Sequence, residues 1–392
     1  MQRLLSLVLV LFLAACGGGD GSADTTDGAQ GQQFSAAAAL GQKIFRDSSL
    51  SVSGRMSCAT CHDPGHAHAG SDGLAVPLGG PNLDQAGFRN APSLNYLSFN
   101  PAFFFDDEGM PTGGFDRDGR AQSLAEQARR PFLARHEMAN ASPAEVVEKL
   151  KGASYGEEFR TVFGASILQD SEQAFSRILF ALAQYQKEDL EFRAFDSKYD
   201  YFLAGKVKLT DQELRGLALF NSPSKGNCAA CHPSARGADG FPPLFTDFTY
   251  DNLGVPRNPD IPATRNATYF DLGLCGPDRT DLAERTDLCG AFKVPTLRNV
   301  ARTPPYFHNG RFATLQEVVA FYVRRDTNPE EWYPVGPNGV EKFDDLPPEY
   351  RTNVNTSEAP YNRKPGEAPA LDTREIEDLV AFLNTLTDGY QP

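Results

Sequence analysis

Two short stretches of this chain, CATCH at residues 58–62 and CAACH at residues 228–232, repeat one pattern. Each has two cysteines separated by two residues and a histidine directly after the second cysteine, which is the attachment signal for a c-type haem. The thiols bond to the haem, and the histidine becomes an axial ligand of its iron. A thioredoxin-like redox pair does not need the histidine, and a zinc site would need both cysteine pairs in one place. We therefore predict two covalently bound haems, held by Cys58, Cys61 and His62 in the first motif and by Cys228, Cys231 and His232 in the second.

Helical patterns precede both motifs. Residues 36–47 have helical spacing of apolar side chains, and residues 210–220 begin with a capping box of Thr210 and Glu213. Further helices are predicted to begin after Ser142 and after Thr314 and to cover residues 171–187 and 372–386. Strand patterns are limited to short hairpins. The sequence thus predicts a mainly α fold with long loops, made of two cytochrome c-like haem domains at residues 36–205 and 206–392.

The N-terminus indicates export. Residues 1–15 contain Arg3, an apolar run and two alanines before Cys16, which resembles a bacterial lipoprotein signal peptide. A plain secretory peptide or a short membrane anchor are the alternatives, although the run is too short to span a bilayer comfortably. We expect residues 16–35 to be a flexible tether. Gly17, in place of an acidic residue, favours the outer membrane. The expected location is the periplasm, with membrane contact only through the lipid on Cys16.

The net charge indicates the kind of binding partner, and the two remaining cysteines indicate a disulfide. The formal net charge of −14 disfavours nucleic acid and favours a basic partner, such as a positively charged small cytochrome. Cys275 and Cys289 lie in a loop rich in Gly and Asp. In an oxidising compartment we expect a disulfide between them, with free thiols or a metal site as alternatives.

Few residues remain as a second axial ligand for the haem of His232. All methionines precede this histidine, at positions 1, 56, 110 and 138, and His308 is the only later histidine. A tyrosine is the third option. Tyr322 falls on the apolar face of the helix predicted after Thr314. On periodicity alone, an ordinary core tyrosine is the better explanation of this position.

Several segments resemble the bacterial dihaem cytochrome c peroxidases and the related MauG enzymes. They are FKVPTLRNV at residues 292–300, PYFHNG at 305–310, and the segments 40–64 and 120–138. In the family's Tyr-Phe-His-x-Gly motif, a methionine sixteen residues after the tyrosine ligates the second haem of the peroxidases, and MauG-like members have tyrosine there. That position is Tyr322 here. The resemblance implies that Tyr322 is the sixth ligand and that His308 contacts a haem propionate.

The same resemblance maps a distal pocket onto the N-terminal, peroxidatic haem. It implies that Glu137 is the acid/base group, that Pro131 covers the iron and that Gln127 binds water. Leu78 replaces the histidine that caps this site in the peroxidases, which suggests an open first haem. His66 and His68 are interpreted as loop residues with an iron ligand as the alternative, and His136 as a surface histidine.

The family pattern also bears on a calcium site and on one replaced residue between the haems. Asn90, Thr303 and Pro305 match its calcium site, so the resemblance implies one bound calcium ion, with an ordinary Asn/Pro loop as the alternative. Arg117 replaces the tryptophan that the family places between its haems. Because an arginine cannot be oxidised at these potentials, this replacement puts fast charge sharing between the irons in doubt.

The function implied by the resemblance is that of a MauG-type enzyme. Hydrogen peroxide would react at the N-terminal haem, and a partner, such as a protein side chain, would be oxidised by long-range electron transfer. The alternative is a cytochrome c peroxidase that reduces peroxide to water with electrons from a small cytochrome. A copper protein is a second possible donor. A dihaem electron carrier without enzyme activity is the third hypothesis.

Overall fold

The computed structural model describes residues 32–392. The predicted signal peptide, Cys16 and most of the predicted tether lie outside the described residues. The end of the predicted tether is Ser35, whose side chain caps the first helix by accepting a hydrogen bond from Ala38 N at 3.1 Å. No helix of the described part is long and apolar enough to cross a membrane.

Helices provide most of the regular structure of residues 32–392. They are α1 (Ala36–Arg46), α2 (Cys58–Cys61), α3 (Leu124–Leu133), α4 (Pro143–Lys151), α5 (Gly156–Phe163), α6 (Ser171–Glu188), α7 (Lys198–Leu203), α8 (Asp211–Asn221), α9 (Leu315–Arg324) and α10 (Thr373–Asn384). The strands form two-residue antiparallel pairs: β1 (Leu78–Gly79) with β2 (Gln85–Ala86), β3 (Phe104–Phe105) with β4 (Pro111–Thr112), β5 (Tyr250–Asp251) with β6 (Phe292–Lys293), and β7 (Val335–Gly336) with β8 (Gly339–Val340). The mainly α fold with long loops is confirmed.

The predicted helix starts are confirmed by their caps. Thr210 and Glu213 form the expected capping box at α8, with Glu213 N donating to Thr210 Oγ1 at 3.2 Å. Thr314 caps α9 in the same way. Helices α2, α3, α5 and α7 were not predicted. Helices α2, α5 and α7 are short, and α3 contains Pro131, which normally indicates the end of a helix.

The helix before each motif packs closely on a helix from later in the chain. α1 packs against α6, and α8 packs against α10. In both pairs a glycine makes the approach possible, since a Cβ at Gly41 would lie 2.0 Å from Ala181 O and one at Gly216 would lie 2.0 Å from Asp378 O. Any larger residue would force the helices apart, so both motifs are positioned by the same kind of contact.

Two apolar cores surround the motifs. The first is built from α1 and α3–α6, and the second from α7–α10 and the loops between them. Tyr199 of α7 lies in the second core, with its ring centroid 5.3 Å from that of Phe382. Residues Phe34–Pro392 pack together as one compact unit. The predicted domain boundary after residue 205 therefore stays a prediction.

Candidate functional site

The second motif lies in the wall of a cavity. The lining includes Cys228, Cys231, His232, His308 and Tyr322. His232 Nδ1 lies 2.7 Å from the carbonyl oxygen of Phe245, to which it can only donate. Nε2 is thus the nitrogen that can bind an iron, and a backbone acceptor on the other ring nitrogen is the usual support of a metal-binding histidine. This set of donors fits a covalently attached haem.

The first motif has the same arrangement in another cavity. We call this one the first cavity, and the cavity around the second motif the second cavity. The lining includes Cys58, Cys61, His62, Gln127, Pro131 and Glu137. His62 Nδ1 lies 3.1 Å from the carbonyl oxygen of His68. Burial lowers the pKa of His62 to about 4, so the imidazole is neutral, as a metal ligand must be. These donors also fit a haem, with His62 Nε2 as the atom that would bind its iron.

Helix α3 and the turn after it place the three predicted distal residues together. Gln127 and Pro131 are four residues apart and therefore share one face of α3. Beyond the helix the chain turns back, and Glu137 N donates to Ala134 O at 2.9 Å. The carbonyl oxygen of Glu137 accepts from Gly80 N at 2.8 Å. The backbone of Glu137 is thus held on both sides, so its position does not depend on its side chain.

The electrostatics around Glu137 suit a group that exchanges protons near neutral pH. Burial in the cavity wall raises its pKa to about 7, although nearby Arg130 favours the ionised form. The carboxylate of Asp116 in the same cavity adds to the increase. A group that is half ionised near pH 7 can both accept and return a proton, which is the requirement for general acid–base catalysis.

His136 is not the surface residue that the sequence suggested. Its side chain is 18% exposed and lines the cavity beside Glu137, with Nε2 3.6 Å from Glu137 Oε1. The ring packs edge-on against Phe88, with centroids 4.8 Å apart. Burial lowers its pKa, so the ring is neutral at pH 7. The turn that presents Glu137 to the cavity presents its neighbour as well, and no local sequence signal shows this.

One acid in the first cavity comes from the second half of the chain. Asp278 accepts from Arg130 Nη1 at 2.7 Å and from Arg120 Nη1 at 3.2 Å. It lies in the loop closed by the predicted disulfide between Cys275 and Cys289, which is confirmed, with a Cα–Cα distance of 5.1 Å. The disulfide could be predicted but Asp278 could not, because nothing in the local pattern shows that this loop reaches the first cavity.

Tyr322 has a second tyrosine beside it that was not predicted from the sequence. Tyr361 lines the same cavity, and its ring centroid lies 5.9 Å from that of Tyr322. The guanidinium of Arg325 lies over the ring of Tyr361 at 4.6 Å. Burial raises the pKa of Tyr322 above its usual range, so a bound metal ion is needed to hold this phenol as a phenolate.

His308 lines the second cavity, and its backbone is hydrogen-bonded to a residue of the first cavity. Its ring stacks on Phe292, with centroids 3.8 Å apart, and its Nε2 lies 3.8 Å from Asp345 Oδ2. Its carbonyl oxygen accepts from Asn90 N, a residue of the first cavity, at 2.7 Å. His308 lines the second cavity, and its contact with a haem propionate stays a prediction.

The other histidines of the first half do not line the cavities. His66 is exposed and pairs with Asp63, with Nδ1 2.9 Å from Oδ2. His68 is buried, and its ring stacks on Phe192 with centroids 3.9 Å apart. Leu78 is 42% exposed on β1. None of these three lines either cavity, which agrees with the interpretation of His66 and His68 as loop residues.

Asn90, Thr303 and Pro305, the residues of the predicted calcium site, all line the first cavity. Arg117 lies there too, and it also lines the second cavity. Its Nη2 donates to Asn90 Oδ1 at 2.8 Å and its Nε donates to Asn90 O at 3.1 Å. Both oxygens of Asn90 are therefore bonded to one guanidinium.

Comparison with known proteins agrees with this geometry. Residues 35–208 match the family model described as di-haem cytochrome c peroxidase. The chain is 38% identical to the methylamine utilization protein MauG of Paracoccus denitrificans, over 91% of this chain and 90% of that protein. It is 33% identical to a cytochrome c551 peroxidase of Nitrosomonas europaea, over 75% of this chain and 74% of that protein.

Solved structures show the same fold. The diheme peroxidase BthA of Burkholderia thailandensis has a TM-score of 0.83 and 42% identity, covering 91% of this chain and 87% of BthA. A MauG-like protein associated with microbial copper homeostasis has a TM-score of 0.64 and 27% identity, covering 91% of each chain. The chain has two haem-attachment motifs in separate cavities, one of them beside a carboxyl whose pKa burial raises. Together with these relatives, they show that the chain belongs to the dihaem cytochrome c peroxidase and MauG family of haem oxidoreductases that act on peroxide.

Proposed function

We propose that this protein is a MauG-type enzyme, which takes up hydrogen peroxide in the first cavity and oxidises a partner by long-range electron transfer. The observation that carries the proposal is that His232 and Tyr322 line the same cavity, among whose described lining residues there is no methionine. A hard phenolate favours ferric and higher-valent iron, whereas a thioether favours ferrous iron. The second haem is thus suited to hold oxidising equivalents rather than to relay single electrons.

In the first cavity, Glu137 is the catalytic acid and base. Its carboxylate takes a proton from one peroxide oxygen and returns it to the other as the O–O bond breaks. Gln127, whose Nε2 lies 3.4 Å from Asp116 Oδ1, orients water or peroxide, and Pro131 covers the site without offering a donor. The haem held by His62 supplies the iron that binds peroxide and accepts its oxidising equivalents.

The partner does not need to enter either cavity. Electrons travel through the protein, so the substrate is a protein side chain, or another group, at the surface of a docked partner. The net charge of −14 favours a partner with a basic face, and a small cytochrome or a copper protein fits this as electron donor. We place the protein in the periplasm, tied to the outer membrane by lipid on Cys16.

The second candidate is a cytochrome c peroxidase that reduces peroxide to water in steady turnover. The similarity to a cytochrome c551 peroxidase favours it. The two functions differ in the second haem. A peroxidase needs this haem to be readily reduced by a small cytochrome, whereas the MauG-type function needs it to stay ferric until peroxide arrives.

Spectroscopy of the ferric holoprotein tests the proposal. We expect one high-spin and one low-spin iron, and both oxidising equivalents of one added peroxide should remain on the protein until a donor is supplied. Tyr322→Phe should abolish the low-spin signal, and Tyr322→Met should raise the potential of the second haem by several tenths of a volt. Tyr361→Phe is the matched control, since it removes a neighbouring phenol of the same cavity and should leave the low-spin signal unchanged.

Other outcomes would contradict the proposal. Two low-spin irons that do not react with peroxide would reject an enzyme and favour an electron carrier. Rapid steady turnover with reduced small cytochrome, through a second haem that this cytochrome reduces, would favour the peroxidase. An unchanged low-spin signal in Tyr322→Phe would reject Tyr322 as the ligand.

A further inference from the structure

Arg117 and Asn90 form a contact that explains two departures from the family pattern together. The side chain at the position of the family's tryptophan reaches the residue matched to its calcium site. Two N–H groups of one guanidinium bond the two oxygens of Asn90, at 2.8 Å to Oδ1 and 3.1 Å to the backbone carbonyl. We infer that Arg117 is a built-in cation that replaces calcium at Asn90, so that this protein binds no calcium there.

A calcium ion on Asn90 would lie close enough to the Arg117 guanidinium for the two cations to repel each other. Calcium binds oxygen at about 2.3–2.6 Å. An ion on either oxygen of Asn90 would then lie within about 5 Å of the guanidinium that already bonds that oxygen. Asn90 is 6% exposed, so water would screen this repulsion poorly. The residues present therefore do not fit the calcium ion that the family resemblance implied.

The nearby carboxylates are engaged elsewhere. Asp271 accepts from Arg89 Nε at 2.6 Å and from Arg89 Nη2 at 2.7 Å, and Asp118 accepts from Arg89 Nη1 at 2.7 Å. Within residues 32–392, no group of three or more His, Cys, Asp or Glu side chains is arranged to hold a metal ion. A calcium ion at Asn90 would thus have to rely on neutral oxygens beside two arginines.

Arg117 keeps its charge and its place. Burial and the neighbouring Arg89 lower its pKa, but only to about 10, so the guanidinium is protonated at pH 7. Its carbonyl oxygen accepts from Lys293 N at 2.9 Å, which fixes the backbone next to β6. The side chains of Arg117 and Lys293 each line both cavities. The region between the cavities therefore has a permanent positive charge that does not depend on the calcium concentration.

Calcium content and thermal unfolding of the holoprotein test the inference directly. The wild-type protein, equilibrated in 1 mM CaCl2 and then desalted, should contain far less than one calcium per chain by elemental analysis. Its Tm should be the same in excess EGTA and in excess calcium. Retention of one calcium per chain, or a fall in Tm of several degrees with EGTA, would overturn the inference. This measurement decides the question even if no variant accumulates.

Variants at position 117 test the role of the arginine itself. Arg117→Ala frees both oxygens of Asn90, and Arg117→Trp restores the residue of the family pattern. We expect both to take up about one calcium per chain and to gain a Tm that rises by a few degrees with calcium. Arg311→Ala, which removes an exposed arginine, is the matched control and should stay insensitive to calcium. A folded Arg117→Ala protein that still takes up no calcium would show that Arg117 is not a substitute for the ion.

Discussion

The two cavities share their attachment chemistry and differ in their linings. Each has a histidine whose Nδ1 donates to a backbone carbonyl. Each haem-attachment motif follows a helix that packs closely on another helix at a glycine. The first cavity contains titratable groups, namely Glu137, His136, Asp116, Asp278, Arg120 and Arg130. The second contains Tyr322 and Tyr361 and a different set of carboxylates, namely Asp251, Asp271, Asp345 and Glu358.

This difference shows that attachment and reactivity are set by separate parts of the chain. A pentapeptide and its helix provide the attachment of the haem, and residues far away in the sequence line the rest of each cavity. An acidic group beside an open iron favours proton transfer to peroxide, whereas a phenol as ligand favours storage of charge. Substitutions in the first cavity can therefore test whether proton transfer to peroxide depends on this cavity alone.

The largest effect is expected when Glu137 loses its charge. Glu137→Gln should slow the reaction with peroxide by about 10²–10⁴-fold, because the amide cannot accept a proton. Rapid mixing, with the change in the haem spectrum as readout, measures the rate constant. Haem content and the low-spin signal of the second haem should not change.

Glu148→Gln is the control for this variant, since it neutralises an exposed glutamate of α4. It should react at the wild-type rate. If Glu137→Gln also reacted at that rate, the first cavity would not provide acid–base catalysis and the contrast between the cavities would fail.

An intermediate effect is expected from removing the disulfide that closes the loop containing Asp278. The double variant Cys275→Ser/Cys289→Ser should lower the free energy of unfolding by about 3 kcal/mol, since the bridge closes a short loop in the unfolded chain. Denaturant unfolding of the holoprotein measures it. The reaction with peroxide should slow as well, because Asp278 would hold Arg130 less firmly beside Glu137. Unaltered kinetics in a destabilised protein would limit the loop to a structural role.

The smallest effect is expected from pH. Burial raises the pKa of Glu137 to about 7, so the carboxyl is neutral below this pH and ionised above it. The rate constant should therefore fall by roughly tenfold per pH unit below pH 7 and level off above it. Glu137→Gln should remove this dependence. A wild-type profile that is flat between pH 5 and 8 would mean that Glu137 is not the base.

Residues that act through local chemistry could be predicted without a structure. The haem motifs and the capping boxes of α8 and α9 follow from spacing over a few residues. The Cys275–Cys289 disulfide follows from two remaining cysteines in an oxidising compartment. The family pattern added Glu137, Gln127 and Pro131, which share the cavity of His62. Helix α3 was not predicted, because its proline outweighs the helical pattern in any local interpretation.

Long-range contacts could not be predicted from local patterns. Asp278 reaches the first cavity across the chain, Tyr361 lies beside Tyr322, and Arg117 bonds Asn90 instead of leaving its oxygens to calcium. Covalent attachment, helix caps and periodicity depend on near neighbours in the chain, and so they can be recognised in the residues alone. The contacts between charged groups and oxygens that are distant in the sequence depend on how the loops pack together. In this protein, that packing determines how the two cavities differ.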